Sequence, residues 1–323
     1  MGKNIVICCD GTNNEFGEEN SNVVKLFNVL VKDTFSTTMP SSQSASFNRS
    51  TQVAFYDPGV GTFGASVPFP ITRKVTKLLG LAVGWGLTKL IEDSYLYLME
   101  RYQDGDNVFI FGFSRGAFAA RALAGMLHKV GLLQRGRENL VPYATKMWKQ
   151  GKADISAKFM ETYGRKCPIH FLGVWDTVKS VGLPLNPDVL PFSQTNPSVA
   201  SVRHAVSVDE HRCYFAAYLW DPAKNYVRDA PGQNIKEVWF PGAHADVGGG
   251  YIEDQSGLAK ITLKWMVDEA VSCGLVIDHG RFSAICPATS SNGVSSPDAN
   301  ASMHDELKRI ASRYRAYRHN ARK

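Results

Sequence analysis

The pattern with the clearest chemical meaning is the pentapeptide Gly112-Phe113-Ser114-Arg115-Gly116. It follows an apolar run and precedes an alanine-rich segment, which is the order of a strand, a sharp turn and a helix. Small residues beside a serine let the strand and the helix pass closely, so that the hydroxyl stands above the sheet edge. Ser114 is therefore predicted to be a nucleophile, and the alternative is an ordinary strand-to-helix turn with a capping serine.

A serine hydroxyl needs a base, and the base needs an acid to orient it. Asp176 follows the apolar run 171–175, and His244 lies in a glycine-rich stretch after a later apolar run. The chain order serine, aspartate, histidine is that of α/β hydrolases. We predict that Ser114, Asp176 and His244 form a catalytic triad, with a turn or capping role as the alternative for Asp176. The other histidines are predicted to have structural or surface roles.

Backbone N–H groups are predicted to stabilise the oxyanion of such a reaction. The residue directly after the nucleophile, Arg115, supplies the first donor. The second donor in this class comes from a loop after an earlier strand. Gly11 and Thr12 follow the apolar run near the N-terminus and are the candidates for that donor.

Three aspartates in turn-forming sequences, Asp10, Asp57 and Asp246, are predicted to support the site by holding its loops. The alternative is that these three residues and His244 bind a divalent cation for phosphoester hydrolysis. That alternative leaves the serine turn unexplained, so we favour the serine mechanism, with no metal and no organic cofactor. A third alternative is a non-catalytic binding module on the same fold.

Short apolar runs alternate with segments of helical spacing along the chain. The predicted strands are 5–9, 53–56, 108–111, 169–175, 214–220 and 238–240. The predicted helical regions are 22–32, 72–103, 115–129, 138–163 and 255–272, and 182–198 and 241–251 are predicted loops. This alternation predicts an α/β fold of the α/β-hydrolase type, a mostly parallel sheet with helices on both faces.

We predict a hydrolase-like body over residues 1–287, followed by two further segments. Residues 288–300 are rich in Ser, Asn, Pro and Ala and are predicted to be a surface linker. In 301–323, apolar residues recur at helical spacing and basic residues occupy the other faces, so a basic amphipathic C-terminal helix is predicted. It is expected either to pack on the body or to touch anionic lipid headgroups.

The composition is that of a globular protein with a mild positive charge. The chain has 323 residues, 44% of them hydrophobic, and a formal net charge of +6. Such a charge suits an anionic surface, but no nucleic-acid-binding motif accompanies it, so nucleic acid is not an expected partner. The six cysteines lack paired spacing, which disfavours zinc and indicates reduced thiols. No signal peptide or transmembrane segment is recognisable, so we expect synthesis in the cytoplasm, with delivery to another cell or to a membrane left open.

Five motifs in a fixed order carry a resemblance to a known family: 9–14 (CDGTNN), 56–62 (YDPGVGT), 112–121 (GFSRGAFAAR), 173–178 (GVWDTV) and 244–251 (HADVGGGY). Over about residues 3–270 the chain resembles the DUF2235 domain, a family that includes the Tle1-type phospholipase effectors of bacterial type VI secretion. The resemblance implies an α/β-hydrolase fold and a triad at Ser114, Asp176 and His244. It also implies phospholipase A-type cleavage of acyl esters as the reaction of this serine hydrolase.

Overall fold

The computed structural model describes residues 2–11, 17, 19–32, 51–59, 73–150, 152–178, 182–183, 186–187, 190–212, 215–221, 233–291 and 293–308. The strands are β1 (Asn4–Cys9), β2 (Gln52–Asp57), β3 (Asn107–Phe113), β4 (Leu132–Leu133), β5 (Gly164–Arg165), β6 (Ile169–Trp175), β7 (Gly182–Leu183), β8 (Asn186–Pro187), β9 (Val199–Ser207) and β10 (Asn234–Phe240). The α-helices are α1 (Asn22–Val29), α2 (Arg73–Arg101), α3 (Arg115–Val130), α4 (Val141–Gln150), α5 (Ala153–Tyr163), α6 (His244–Gly248), α7 (Gly257–Ser272) and α8 (His279–Ile285).

Six of these strands form one sheet in the order β10-β9-β6-β3-β1-β2, and every neighbouring pair is parallel. The chain adds β2 on one side of β1 and then β3 on the other, so the direction of winding reverses at β1. In open parallel sheets the crevice outside the carboxyl ends of the strands at such a reversal is the usual place for a ligand. The predicted α/β fold with a mostly parallel sheet is confirmed.

Helices cover both faces of the sheet because its central strands are buried on both sides. All six residues of β1 are buried, and their side chains alternate between two cores. Ile5 and Ile7 pack in the core that also contains residues of α2, α3, α4 and α5. Val6 and Cys8 pack in the opposite core, with residues of α1 and α7.

The strand beside β6 differs from the prediction. The predicted strand 214–220 is wrong over its described residues, because residues 215–220 contain one isolated bridge, between Ala217 and Val178, and no strand. On the side of β6 away from β3 the neighbour is β9, which the apolar pattern did not reveal because Arg203 and His204 lie in its middle. Both side chains are buried and paired with carboxylates, Glu269 and Glu237 respectively, and such pairing lets charged residue types occupy a central strand.

Smaller differences affect the helices. The predicted helical region 138–163 is two helices, α4 and α5, and the sequence places a glycine between them at position 151. The predicted loop 241–251 contains the short helix α6, and α8 was not predicted. Residues 306–308 are helical, and the rest of the predicted C-terminal helix lies outside the described residues.

The predicted linker lies against the body where the structure describes it. The Asp298 N–H donates to the Gly257 carbonyl, and the Ser295 hydroxyl donates to the Glu253 carbonyl, so the segment lies along the start of α7. Within the described part of the chain, no helix has the length and apolar character needed to cross a membrane.

Candidate active site

Ser114 forms the whole turn between β3 and α3. The strand ends at Phe113 and the helix begins at Arg115, and Ser114 has φ 58° and ψ −120°. A non-glycine residue in this region is strained by about 1–3 kcal/mol, and such strain is concentrated at functional sites. Its N–H donates to the Trp175 carbonyl at 3.1 Å, and its own carbonyl accepts from the Phe118 N–H at 3.2 Å. These bonds hold the serine at the carboxyl end of β3.

The glycines beside Ser114 are required by close backbone contacts. A Cβ atom on Gly116 would lie 2.2 Å from the Cys9 carbonyl oxygen and 2.4 Å from that of Asp10. A Cβ atom on Gly112 would lie 2.5 Å from the Gly116 carbonyl oxygen. The first turn of α3 therefore passes directly over the end of β1, as the sequence pattern around the serine predicts.

Gly116→Ala is expected to destabilise the protein by about 3 kcal/mol, because the added methyl meets the backbone of a central strand rather than a movable side chain. Denaturant unfolding of the purified variant measures this change. The control is Gly280→Ala in α8, where the added Cβ approaches only the Asp278 Oδ1 atom, at 3.3 Å. We expect that control to stay within about 1 kcal/mol of wild type. Equal stability of the two variants would contradict the packing argument.

Asp176 lies at the same sheet edge as Ser114. The residues before them, Trp175 and Phe113, are register partners in neighbouring strands. The carboxylate is 1% exposed, and its Oδ1 atom accepts the Ser207 N–H at 2.9 Å. Its Oδ2 atom lies 2.6 Å from His244 Nδ1. The structure therefore brings Asp176 and His244 into direct hydrogen-bond contact.

The imidazole of His244 contacts two aromatic rings. Its centroid lies 4.6 Å from that of Phe113 and 4.8 Å from that of Phe215, with the second contact edge-on. Because Phe113 directly precedes Ser114, the first contact places the imidazole beside the serine turn. The contact of Phe215 with His244 was not predicted. Phe215 lies in the segment that was wrongly predicted as a strand, and nothing in that pattern indicated a contact with the histidine.

Carboxylates hold the backbone of the histidine loop. The consecutive N–H groups of residues 242–244 donate to Asp209 Oδ2 at 2.8 Å, Asp246 Oδ2 at 2.9 Å and Glu210 Oε2 at 3.2 Å, in that order. Hydrogen bonds to ionised acceptors are about twice as strong as neutral ones. Asp246 thus lies where a supporting residue is expected, whereas Asp209 and Glu210 were not predicted.

Glu210 is kept ionised by its neighbours. Burial alone would raise the pKa of this carboxyl, but hydrogen bonds from the Arg212 side chain and from the N–H groups of Arg212 and His244 lower it below its ordinary value. The Arg212 guanidinium in turn lies over the Phe215 ring, 3.8 Å from the centroid. Glu210, Arg212 and Phe215 therefore form one supporting group on one side of His244.

A second histidine–carboxylate pair lies behind the Asp176 turn. The Thr177 N–H donates to His204 Nε2 at 3.2 Å, and His204 Nδ1 lies 2.7 Å from Glu237 Oε2. Burial lowers the pKa of His204, so the ring is neutral, with its proton on Nδ1 and shared with Glu237. Because Thr177 directly follows Asp176, this pair supports the strained turn, where Asp176 has φ 35°.

The neutral state of His204 predicts a pH dependence of stability. Burial lowers its pKa below the ordinary value of 6.5, so the unfolded chain takes up a proton more readily than the folded one. The free energy of unfolding should then fall as the pH drops below about 6.5, by up to about 1.4 kcal/mol per pH unit from this one group.

We expect His204→Gln to lose this part of the slope when denaturant unfolding is measured between about pH 6.5 and 5. The exposed His279, replaced by glutamine, serves as the control and should keep the wild-type slope. An identical slope in wild type and His204→Gln would show that His204 does not carry the effect.

Asp10 organises the loop after β1. The carboxylate is 1% exposed, and its Oδ2 atom accepts the hydroxyls of Ser21 at 2.7 Å and Tyr56 at 2.9 Å. Its Oδ1 atom accepts the Gly11 N–H at 2.7 Å, so this predicted oxyanion donor is bound to Asp10 in the structure. The other predicted donor in this loop, Thr12, lies outside the described residues.

Asp57 ties the turn after β2 to the same loop. Its Oδ1 atom accepts the Gly59 N–H at 2.9 Å, and its carbonyl accepts the Asp10 N–H at 2.9 Å. Gly59 has φ 82°, and a Cβ atom there would lie 2.4 Å from the Gly11 carbonyl oxygen. Burial raises the pKa of the Asp57 carboxyl.

Arg115 supplies the N–H group at the start of α3. The first N–H groups of a helix have no acceptor within it, and the helix dipole favours a negative charge at this end. An oxyanion formed beside Ser114 would therefore meet both a free backbone donor and a favourable field.

The four residues of the cation hypothesis are not gathered into one site. His244 binds Asp176, Asp246 binds His304, and Asp10 binds two hydroxyls. In the ranges that the structure describes, no three His, Cys, Asp or Glu side chains are arranged to hold a metal ion. Of the four, His244 instead contacts Asp176, at the sheet edge where Ser114 lies.

Comparison with known proteins assigns the chain to a family. The model of the type VI secretion phospholipase effector Tle1-like catalytic domain matches residues 3–269. The chain belongs to this family. The matched range contains Ser114, Asp176 and His244, so these three residues lie within the Tle1-like catalytic domain.

Three individual proteins resemble this chain, with sequence identities between 19% and 35%. An uncharacterized Saccharomyces cerevisiae protein, YEL023C, is 35% identical over 240 residues, which are 68% of this chain and 33% of the yeast protein. A solved structure of an uncharacterized Pseudomonas aeruginosa protein has 20% identity and a TM-score of 0.48, with 86% of this chain and 47% of that chain covered. The Tle1 effector bound to the VgrG spike of the type 6 secretion system has 19% identity and a TM-score of 0.42, with 80% and 52% covered. The chain thus spans about a third of the yeast relative and about half of each solved chain.

Proposed function

We propose that this Tle1-like protein is a serine hydrolase that cleaves carboxylic esters, with the acyl esters of phospholipids as its substrate class. The observation that carries the proposal is the 2.6 Å contact between Asp176 Oδ2 and His244 Nδ1, at the sheet edge where Ser114 occupies a strained turn. The phospholipid substrate is supported by membership of a phospholipase effector family.

The proposed reaction is a two-step acyl transfer. His244 Nε2 takes the proton of the Ser114 hydroxyl, and Oγ attacks the ester carbonyl carbon to give a tetrahedral intermediate. The intermediate expels the alcohol, which leaves with the proton from His244, and the acyl group stays on Ser114. Water then attacks this ester, His244 takes its proton and returns it to Ser114, and the carboxylic acid departs. Asp176 holds the imidazole with Nε2 unprotonated and stabilises its charged form.

The oxyanion of both steps is assigned to backbone donors. The Arg115 N–H at the start of α3 is the first. The Gly11 N–H would have to exchange Asp10 Oδ1 for the oxyanion, and the Thr12 N–H is the other candidate donor. Because the chain itself supplies nucleophile, base and donors, the mechanism requires no metal and no organic cofactor.

The proposal extends to where the enzyme acts. Because the family consists of type VI secretion effectors, we include delivery to another cell in the proposal. The net charge of +6, together with the basic segment after residue 308, suits peripheral contact with an anionic membrane.

Phospholipid vesicles and a short water-soluble ester, each with and without a chelator, test this function. We expect fatty acid release from vesicles of phosphatidylcholine and phosphatidylglycerol at a rate that the chelator does not change. Cleavage of the short ester alone would remove the phospholipid claim and keep the serine mechanism. Activity that disappears with the chelator would overturn the serine mechanism.

A further inference from the structure

A segment outside the family catalytic domain reaches the histidine loop. Residues 302–308, here called the C-terminal strap, follow the matched range 3–269 by more than thirty positions. The N–H and the Nδ1 atom of His304 contact Asp246 Oδ2 at 3.0 Å and Oδ1 at 2.7 Å. The His304 ring stacks on Tyr251, with centroids 3.7 Å apart, and the Tyr251 hydroxyl donates to Glu306 Oε1 at 2.7 Å.

The first route from the strap to His244 passes through Asp246. This carboxylate is 1% exposed, and its Oδ2 atom receives both the His304 N–H and the Ala243 N–H. Ala243 caps α6, whose first residue is His244. A Cβ atom on Gly242 would lie 2.4 Å from Asp246 Cβ, so the carboxylate is wedged against the turn. His304 therefore fixes the orientation of the Asp246 carboxylate, and this carboxylate holds the N–H group of Ala243 directly before His244.

The second route passes through Arg212. Burial alone would lower the pKa of the Arg212 guanidinium, but the hydrogen bond and charge of Glu210 raise it, and the charge of Glu306 adds to this rise. Arg212 pairs with Glu210, and Glu210 accepts the His244 N–H at 3.2 Å. The two routes thus start two residues apart in the strap and end on the adjacent N–H groups of residues 243 and 244.

We propose that His304 and Glu306 are positioning residues, and that the C-terminal strap holds His244 in its working place beside Ser114. The inference rests on the proposed function, because it assigns a role to the strap in that reaction. A general base works only within hydrogen-bond reach of the proton it takes, and a misplacement of about 1 Å can cost a hundredfold in rate. The strap makes residues beyond the catalytic domain part of the active site.

Kinetics of strap variants on a short water-soluble ester test the role. We expect His304→Ala to lower kcat about tenfold with KM unchanged, because the strap contacts the histidine loop. His304→Gln should recover part of the loss, since its amide can donate to Asp246. Glu306→Gln should lower kcat in the same direction. The control His279→Ala, at an exposed position in α8, should match wild type.

Hydrogen–deuterium exchange of the peptide 241–250 provides a readout that does not depend on activity. We expect faster exchange of this peptide in His304→Ala, and no change in peptides from β1 or β3. An unchanged exchange rate would overturn the contact itself. If the wild type is active and His304→Ala shows faster exchange of this peptide but an unchanged kcat, the contact is purely structural. That result would overturn the positioning role. If the wild type cleaves no ester, the proposed function fails, and the strap contact is still decided by the exchange.

Discussion

Ser114→Ala should abolish ester hydrolysis and leave the fold intact. Without Oγ there is no nucleophile, so kcat/KM should fall by at least about a thousandfold, to the level that binding and the oxyanion donors alone sustain. The fold should survive because the Ser114 hydroxyl makes no capping hydrogen bond to α3. Alanine also bears the φ of 58° at a cost similar to that for serine.

Hydrolysis of a short ester and of phospholipid vesicles, with thermal unfolding alongside, measures this result. The matched control is Ser272→Ala at the end of α7, where the exposed hydroxyl contacts only groups of its own helix end, the Glu269 carbonyl and the Cys273 sulfur. The control should keep wild-type activity and nearly the same unfolding temperature. Undiminished hydrolysis by Ser114→Ala would exclude the serine as nucleophile.

Asp176→Asn is the second change with a large expected effect. An amide in place of the carboxylate can donate to His244 Nδ1, which puts the ring proton on Nε2, where it blocks uptake of the Ser114 proton. We expect kcat to fall about ten-thousandfold. The retained Oδ1 atom can still accept the Ser207 N–H, so the turn should keep its shape.

Steady-state kinetics on the short ester measures the Asp176→Asn effect. The control is Asp268→Asn, whose carboxylate forms an exposed ion pair with Lys264 within α7. Exposed pairs of this kind contribute little to stability, so the control should behave as wild type. If kcat of Asp176→Asn decreases by less than a factor of about ten, the Asp176–His244 contact does not set the tautomer of His244.

The turn at Ser114 was predictable because its geometry depends on residues that are adjacent in the sequence. A one-residue turn between a buried strand and a helix needs small residues at positions 112 and 116, and both are glycine. The histidine loop is marked in the same way, by glycines at 242, 249 and 250 that adopt positive φ. Local steric demands of this kind leave a residue-type signature that a single sequence shows.

The supports of the site were not predictable, because tertiary structure brings them together. Glu210 reaches the His244 N–H across 34 positions of sequence, and His304 reaches Asp246 across 58. In the sequence, an acidic residue or a histidine so far from its partner cannot be distinguished from an ordinary surface residue. The buried pair of His204 and Glu237 had a further effect, since its polar residues concealed strand β9 from the apolar pattern.

The order of strands in the sheet could likewise not be predicted from the sequence. Alternating strands and helices predict parallel pairing, but which strands are neighbours depends on how the crossovers pack. With β9 hidden, the prediction placed a strand at 214–220, whereas Phe215 in that segment contacts the His244 ring. The error therefore concealed part of the site as well as part of the fold.

The most direct test of the serine mechanism is the mass of the protein after reaction with a fluorophosphonate, followed by peptide mapping. We predict a single adduct on the peptide that contains Ser114, formed at the rate at which esterase activity is lost. Ser114→Ala should stay unlabelled, and Asp176→Asn should react far more slowly. A protein that hydrolyses ester while unlabelled, or that carries its adduct on another residue, would contradict the assignment of Ser114 as the nucleophile.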